Sequence, residues 1–187
     1  EFSLEGYYKN MENLIEYKEN YIPGTRIGTD NVDNNLVSGD GQSYGFELFF
    51  SKNIGNLSGW IGYTWSKTTR KFNELNKGLE FYSKYDRTHD LSIVANYQIS
   101  KRLNFSTVFI YATGNTLTLP ESAFLIDGDL ILEWGERNSH RMEPYHRLDI
   151  ALTLDGKKKG NYQSSWSFSI YNVYNRQNPY FIYFDVN

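Results

Sequence analysis

The chain has 187 residues, a formal net charge of −3 and no cysteine, and 17% of its residues are aromatic. This charge gives no footprint for nucleic-acid binding, and the lack of cysteine excludes a disulfide scaffold and a thiolate metal site. No stretch approaches the roughly 18 apolar residues of a transmembrane helix. So many aromatic side chains in an otherwise polar chain are typical of transmembrane β-barrels, whose walls are apolar on one face and polar on the other.

Apolar and polar residues alternate with period two along most of the chain, whereas helical periodicity is weak. The alternation predicts seven antiparallel strands, most of them as long as the roughly 9–11 residues that a tilted strand needs to cross a bilayer. In chain order they cover residues 2–17, 43–52, 57–72, 85–100, 102–119, 144–154 and 164–184.

The fourth and sixth predicted strands show the alternation most clearly. Because successive side chains of a strand point to opposite faces, each of these strands has one apolar and one polar face. The seventh strand breaks the pattern at Asn172, where we expect a bulge or the edge of the membrane. We predict lipid contact for Leu91, Ile93, Leu148, Ile150 and Leu152, and a position on the lumen side for Ser92, Asn96, Asp149 and Thr153.

The predicted connections alternate between long and short, at residues 18–42, 53–56, 73–84, 100–101, 120–143 and 155–163. Barrels of the outer membrane have short periplasmic turns and long extracellular loops, with aromatic girdles at both interfaces. The expected location is therefore the outer membrane. The predicted outer girdle contains Tyr82, Tyr85, Trp134 and Tyr145, and the inner one Leu57, Trp60, Tyr97, Tyr162 and Trp166.

Four short segments resemble late barrel strands of TonB-dependent outer-membrane receptors, in particular those of the Bacteroidetes group. They are residues 45–48 (GFEL), 85–90 (YDRTHD), 144–149 (PYHRLD) and 171–180 (YNVYNRQNPY). Each motif is short and degenerate, and their order along the chain carries the resemblance.

The resemblance implies an all-β, antiparallel transmembrane barrel of about 22 strands with an N-terminal plug. Residues 1–187 would then be a C-terminal part of that barrel, with the plug and the closing strand outside them. It also implies TonB-dependent uptake of a scarce nutrient: a siderophore, haem, cobalamin, an oligosaccharide or a peptide. The implied partners are outer-membrane lipid, the nutrient, the TonB complex through a segment not included here, and a surface lipoprotein.

The charges expected to face the lumen are Glu47, Arg87, Asp90, Arg147 and Asp149, and the aromatic residues expected near the mouth are Tyr111, Trp134 and Tyr145. All of these except Asp90 are the seven candidate substrate contacts, although the charges could equally pair with one another. No nucleophile, base and oxyanion donor are grouped as in an enzyme, and the three histidines lack the spacing of metal ligands, so we expect neither catalysis nor a cofactor.

Two other functions fit parts of the pattern. A passive porin or adhesin barrel would have the same wall without energised transport. A soluble β-sandwich could use exposed Tyr and Trp side chains to bind glycans. An isolated seven-stranded membrane sheet is not expected, because its two edges would leave backbone groups unpaired in lipid.

Overall fold

The computed structural model describes residues 1–19, 32–126, 129–180 and 182. These residues form an all-β structure with two short 3₁₀-helices, Val32–Asn35 and Asn76–Gly78. In the described residues no helix has the length and apolar character needed to cross a membrane. The strands are β1 (Phe2–Tyr17), β2 (Leu36–Lys52), β3 (Leu57–Lys71), β4 (Phe81–Tyr82), β5 (His89–Gln98), β6 (Leu103–Ala112), β7 (Thr116–Leu117), β8 (Pro120–Ile126), β9 (Asp129–Trp134), β10 (His140–Arg141), β11 (Tyr145–Asp155) and β12 (Ser165–Ile170).

Seven long strands form one antiparallel sheet in the order β1-β2-β3-β5-β6-β11-β12, and the short β4 pairs with β3. The predicted all-β, antiparallel arrangement is therefore confirmed, with each predicted strand beside its neighbours in sequence. Among the described residues, β1 and β12 do not pair with each other, so the sheet is open.

The connections lie at two distinct ends of the sheet. Three long connections, residues 18–35, 72–88 and 113–144, join strands at one end, which we call the loop end. Residues 53–56, 99–102 and 156–164 join them at the other end, which we call the turn end. The predicted alternation of connection lengths agrees with this arrangement, although residues 20–31 of the first connection lie outside the described residues.

Several predicted strand bounds were wrong. The second strand begins at Leu36, the fourth begins at His89, and the fifth ends at Ala112. The seventh ends at Ile170, two residues before Asn172 broke the alternation, and residues 181 and 183–184 of the prediction lie outside the described part. The connection at 120–143 was predicted as a loop, but it contains the β8–β9 hairpin.

The pairing register of the main sheet shows which residues lie on each of its two faces. Directly paired residues share a face, and one such row runs Phe2, Phe50, Ile61, Ile93, Phe109 and Leu148. The neighbouring row on the opposite face runs Ser3, Phe49, Gly62, Ser92, Ile110 and Arg147. The residues predicted to contact lipid all lie on the first face, which we call the apolar face, and those predicted for the lumen all lie on the second, the polar face.

The apolar face is largely uncovered. Phe2, Phe50 and Phe168 are 63%, 46% and 67% exposed. In the described part of the chain, the cluster of buried hydrophobic residues lies instead at the loop end, where Val37, Phe72, Leu75 and Phe81 pack together. The sheet itself therefore has no second layer of described residues against its apolar face.

A substitution at Gly59 tests how closely β3 packs against its neighbours β2 and β5. It lies between Lys52 of β2 and Ala95 of β5, with φ +151, and a Cβ there would overlap the Val94 carbonyl oxygen. We expect Gly59→Ala to lower the free energy of unfolding by about 1–3 kcal/mol, the usual cost of a strained backbone position. Gly62→Ala is the control, since its Cβ would meet the Trp60 ring at an ordinary 3.5 Å. Equal denaturant midpoints for the two variants would contradict this account.

Candidate functional site

Three of the predicted site residues meet on the polar face at the loop end of β11. Tyr145, Arg147 and Asp149 are two residues apart on one strand, so their side chains share a face. Arg147 Nε donates to Asp149 Oδ2 at 3.0 Å, and Nη1 donates to the hydroxyl oxygen of Tyr145 at 3.0 Å. Nη1 also donates to the Tyr171 hydroxyl, and the guanidinium carbon lies 4.2 Å from the centre of the Tyr171 ring.

This cluster holds Arg147 in one orientation. Asp149 is fixed in turn, because its Oδ1 accepts a hydrogen bond of 2.9 Å from the backbone N–H of Asn172. In the described part of the chain, Arg147 Nη2 has no hydrogen-bond partner. The guanidinium thus presents two unused N–H groups on the polar face, and such groups suit a carboxylate or phosphate oxygen.

Glu47 and Arg87 lie away from this cluster. Glu47 is exposed on the polar face of β2, directly opposite Glu5 of β1. Four strand spacings separate β2 from β11, which is about 19 Å. Arg87 precedes β5, and it contacts Asn115 at 3.3 Å and Asp90 at 3.8 Å while remaining half exposed. The predicted charges therefore form no single site.

The predicted mouth residues occupy different places. Tyr145 belongs to the Arg147 cluster, whereas Tyr111 lies on the apolar face, paired with Leu91 and His146. Alternation explains this position, because it is the neighbouring Ala112 that faces the polar side. Trp134 ends β9 in the β8–β9 hairpin and is 41% exposed.

The apolar face carries a band of aromatic residues toward the loop end. Its ring centres are about 6 Å apart, with Tyr44 at 6.0 Å from Trp65 and Phe46 at 5.8 Å from Trp65. A hydrogen bond of 2.8 Å joins Tyr63 Oη to His89 Nδ1. A second, smaller group toward the turn end contains Leu57, Tyr97, Phe105, Trp166 and Phe168. Trp60, predicted for that girdle, lies instead on the polar face, beside Phe49.

An ion pair that the alternation did not indicate holds two long connections together. The Asp86 side chain is fully buried, and its Oδ2 lies 2.6 Å from Arg141 Nη2. Arg141 Nη1 also donates to the carbonyls of Asp86 and Gly114, and Asp86 Oδ1 accepts from Thr68 N–H at 2.6 Å. A buried carboxylate needs such partners, but no local spacing pattern connects residues 55 positions apart.

Glu16 adds a second connection at the same end. Its two carboxylate oxygens lie 3.3 Å from Arg70 Nη1 of β3 and 3.3 Å from Arg137 Nη2. The Arg137 guanidinium also lies 5.5 Å from the Phe81 ring centre, above the buried cluster. These residues connect β1, β3 and two long connections into one body, which we call the loop cap: Glu16, Val37, Arg70, Phe72, Leu75, Phe81, Asp86, Arg137 and Arg141.

The described residues include a small polar cavity, and they form no metal cluster. A cavity of 230 Å³ beside the loop cap is lined by polar residues including Asn10, Gln42, Arg70 and Glu80. Pockets for small ligands usually measure about 300–1,000 Å³. Within the described ranges no three His, Cys, Asp or Glu side chains are grouped as metal ligands.

No protein-family model matches the chain, and neither does any curated protein or solved structure. The resemblance to TonB-dependent receptors therefore depends on the four motifs alone. Residues 85–90, 144–149 and 171–180 all lie at the loop end, where they supply Asp86, Arg147 and Tyr171 to the contacts described above.

A substitution at Arg141 tests whether its ion pair with Asp86 holds the loop cap together. Removing it in Arg141→Ala leaves the buried Asp86 carboxylate without its cation, a change that typically costs about 3–5 kcal/mol. We expect the connection at residues 113–144 to become much more sensitive to limited proteolysis. Arg87→Ala is the matched control, because its contacts with Asp90 and with Asn115 of the same connection are both exposed, and such exposed pairs contribute at most about 1 kcal/mol. Equal cleavage rates in the two variants would show that Arg141 does not hold the loop cap.

Proposed function

We propose that the chain forms part of the wall of an outer-membrane β-barrel that takes up a nutrient by TonB-dependent transport. The observation that supports this most strongly is the apolar face, which continues across seven strands and is exposed. Soluble monomers rarely expose an apolar patch larger than about 300–600 Å². Lipid provides the cover that such a face requires.

The dimensions of the face support a membrane location. From His89 to Tyr97, β5 advances eight residues, about 26 Å along the strand. With a tilt of about 40° this corresponds to about 20 Å across the membrane, near the apolar band of about 25 Å in known barrels. Aromatic residues lie toward both ends of this span, as the girdles of barrel proteins do.

The two open edges support a larger barrel. Lipid offers no hydrogen-bond partner, so each strand within it needs a neighbour on both sides. Among the described residues β1 pairs only with β2, and β12 only with β11. We therefore propose that further strands continue the wall on both sides, in a barrel of about 22 strands as the resemblance implies.

The loop end is the proposed outer side, where ligand is captured. Its long connections, the β8–β9 hairpin and the polar Arg147 cluster all lie there. The substrate classes proposed are those of the resemblance: siderophore, haem, cobalamin, oligosaccharide or peptide. A passive barrel would share the wall and loops, and the energy requirement of uptake distinguishes the two functions.

Cysteine labelling tests the membrane assignment, since the 187 residues contain no cysteine of their own. We expect a water-soluble maleimide to label Ser92→Cys and Thr153→Cys in isolated outer membranes, because these positions face the aqueous lumen. Ile93→Cys and Leu152→Cys, each one residue away on the opposite face, should react only after detergent denaturation. Similar labelling of both pairs in intact membranes would contradict a lipid-facing sheet.

A hairpin deletion tests the transport function. Residues 120–134 can be replaced by a short linker, because Gly135 N–H already donates to the Leu119 carbonyl at 2.9 Å. A deletion of all of 120–143 would remove Arg137 and Arg141 and so damage the loop cap. We expect the shorter deletion to leave assembly intact and to reduce nutrient-dependent growth.

The control for that experiment is Lys157→Ala, at the turn end, which should grow normally. In the parent strain, growth should also depend on the TonB complex and the proton gradient. Uptake that persists when TonB is absent would favour the passive barrel instead.

A further inference from the structure

The loop-end half of β11 is covered, on the side that faces β12, by a segment that is not a strand. β12 ends at Ile170, which pairs with Ile150, while β11 continues five residues further to Tyr145. On that side the backbone of β11 would lack a partner strand. Residues 171–178 lie there instead, and Val173 N–H donates to the Leu148 carbonyl at 2.8 Å.

The side chain of Asn178 takes the place of a paired strand residue beside His146. Its Oδ1 accepts from His146 N–H at 3.0 Å, and its Nδ2 donates to the His146 carbonyl at 3.0 Å. One amide side chain therefore makes the two bonds that a residue of a paired antiparallel strand would make. Arg176 Nη2 extends the contact to the Pro144 carbonyl at 3.2 Å.

A turn built on asparagine directs the segment along the edge. Asn172 and Asn175 have φ of +54 and +51, a left-handed conformation that asparagine tolerates better than most residues. The Asn172 side chain accepts from Arg176 N–H and donates to the Arg176 carbonyl, both at 3.0 Å. Asn172 and Asn175 thus form the turn, and Asn178, three residues further on, bonds to the edge of β11.

The segment also continues both faces of the sheet. Tyr171 contacts Arg147 on the polar face, and Tyr174 Oη lies 2.8 Å from His146 Nδ1 on the apolar face. It replaces a strand in its backbone bonding and in its side-chain placement.

We infer that residues 171–178 are an edge cap, which fixes where β12 stops and closes the loop-end half of β11 to any other strand. Unpaired strand edges recruit other chains, and natural sheets cover them for that reason. The occupant of this edge is the chain's own segment, so a following strand can pair only with β12, nearer the turn end. This inference depends on the hydrogen bonds alone and does not require the transport function.

Hydrogen exchange in the full-length protein tests the edge cap. Asn178→Leu keeps the size of the side chain and removes both bonds to His146. We expect the His146 amide to exchange about tenfold faster or more, as loss of one to two net hydrogen bonds implies. Amides of the β5–β6 ladder should keep their rates. Gln177→Leu is the matched control, since the described structure gives Gln177 no side-chain bond.

An unchanged His146 rate in Asn178→Leu, or an equal increase in Gln177→Leu, would overturn the inference. If Asn178→Leu does not fold, Asn178→Asp serves in its place, because it keeps the acceptor for His146 N–H and removes the donor to the His146 carbonyl. Faster exchange at Val173 would then support the edge cap, and wild-type exchange there would overturn it. None of these readouts involves uptake, so a failure of the transport proposal is distinguishable from a failure of this one.

Discussion

The continuous antiparallel register of seven strands is the constraint on which the rest of the structure depends. Side chains alternate with period two, so a slip of one residue in any ladder would move that strand's apolar residues to the polar face. From β1 to β12 the described ladders of the main sheet keep the apolar-face residues and the polar-face residues on opposite sides. One irregularity lies between Met11 and Leu14, beyond the aromatic band. The exposed apolar face and the shared face of the Arg147 cluster both follow from this register.

The distribution of buried residues shows what the sheet requires from its surroundings. Burying a large apolar side chain contributes about 1.5–3 kcal/mol, and the described cluster contains four buried hydrophobic residues, all in the loop cap. Ordering each residue of the backbone costs about 1–2 kcal/mol. So small a core stabilises the loop cap but not a sheet of this size. The apolar face therefore has to be covered by something other than the described residues, and this links the fold to the proposed membrane location.

Local patterns in the sequence were enough to predict some elements and not others. The faces of residues 91–97 and 148–154 were predicted correctly because alternation is a property of each strand by itself. The start of β5 at His89 and the end of β12 at Ile170 were missed because distant contacts decide them, Asp86 with Arg141 and Asn178 with His146. The same holds for the site: the spacing on β11 predicted that Arg147 and Asp149 share a face, while their partner Tyr171 comes from another strand's end.

Asp149 belongs to both the Arg147 cluster and the edge cap, and this affects how its variants are interpreted. One carboxylate oxygen accepts from Arg147 and the other from the backbone of Asn172. A substitution at Asp149 therefore disturbs the end of β12 as well as the guanidinium, and lost uptake would not identify a ligand contact. Arg147 is more informative, because its Nη2 group has no partner in the described ranges and contributes to no backbone contact. Comparing Arg147→Lys, which keeps the charge and loses the fork of donors, with Asp149→Ala, which removes the acceptor for Asn172 N–H, separates recognition on the polar face from support of the strand end.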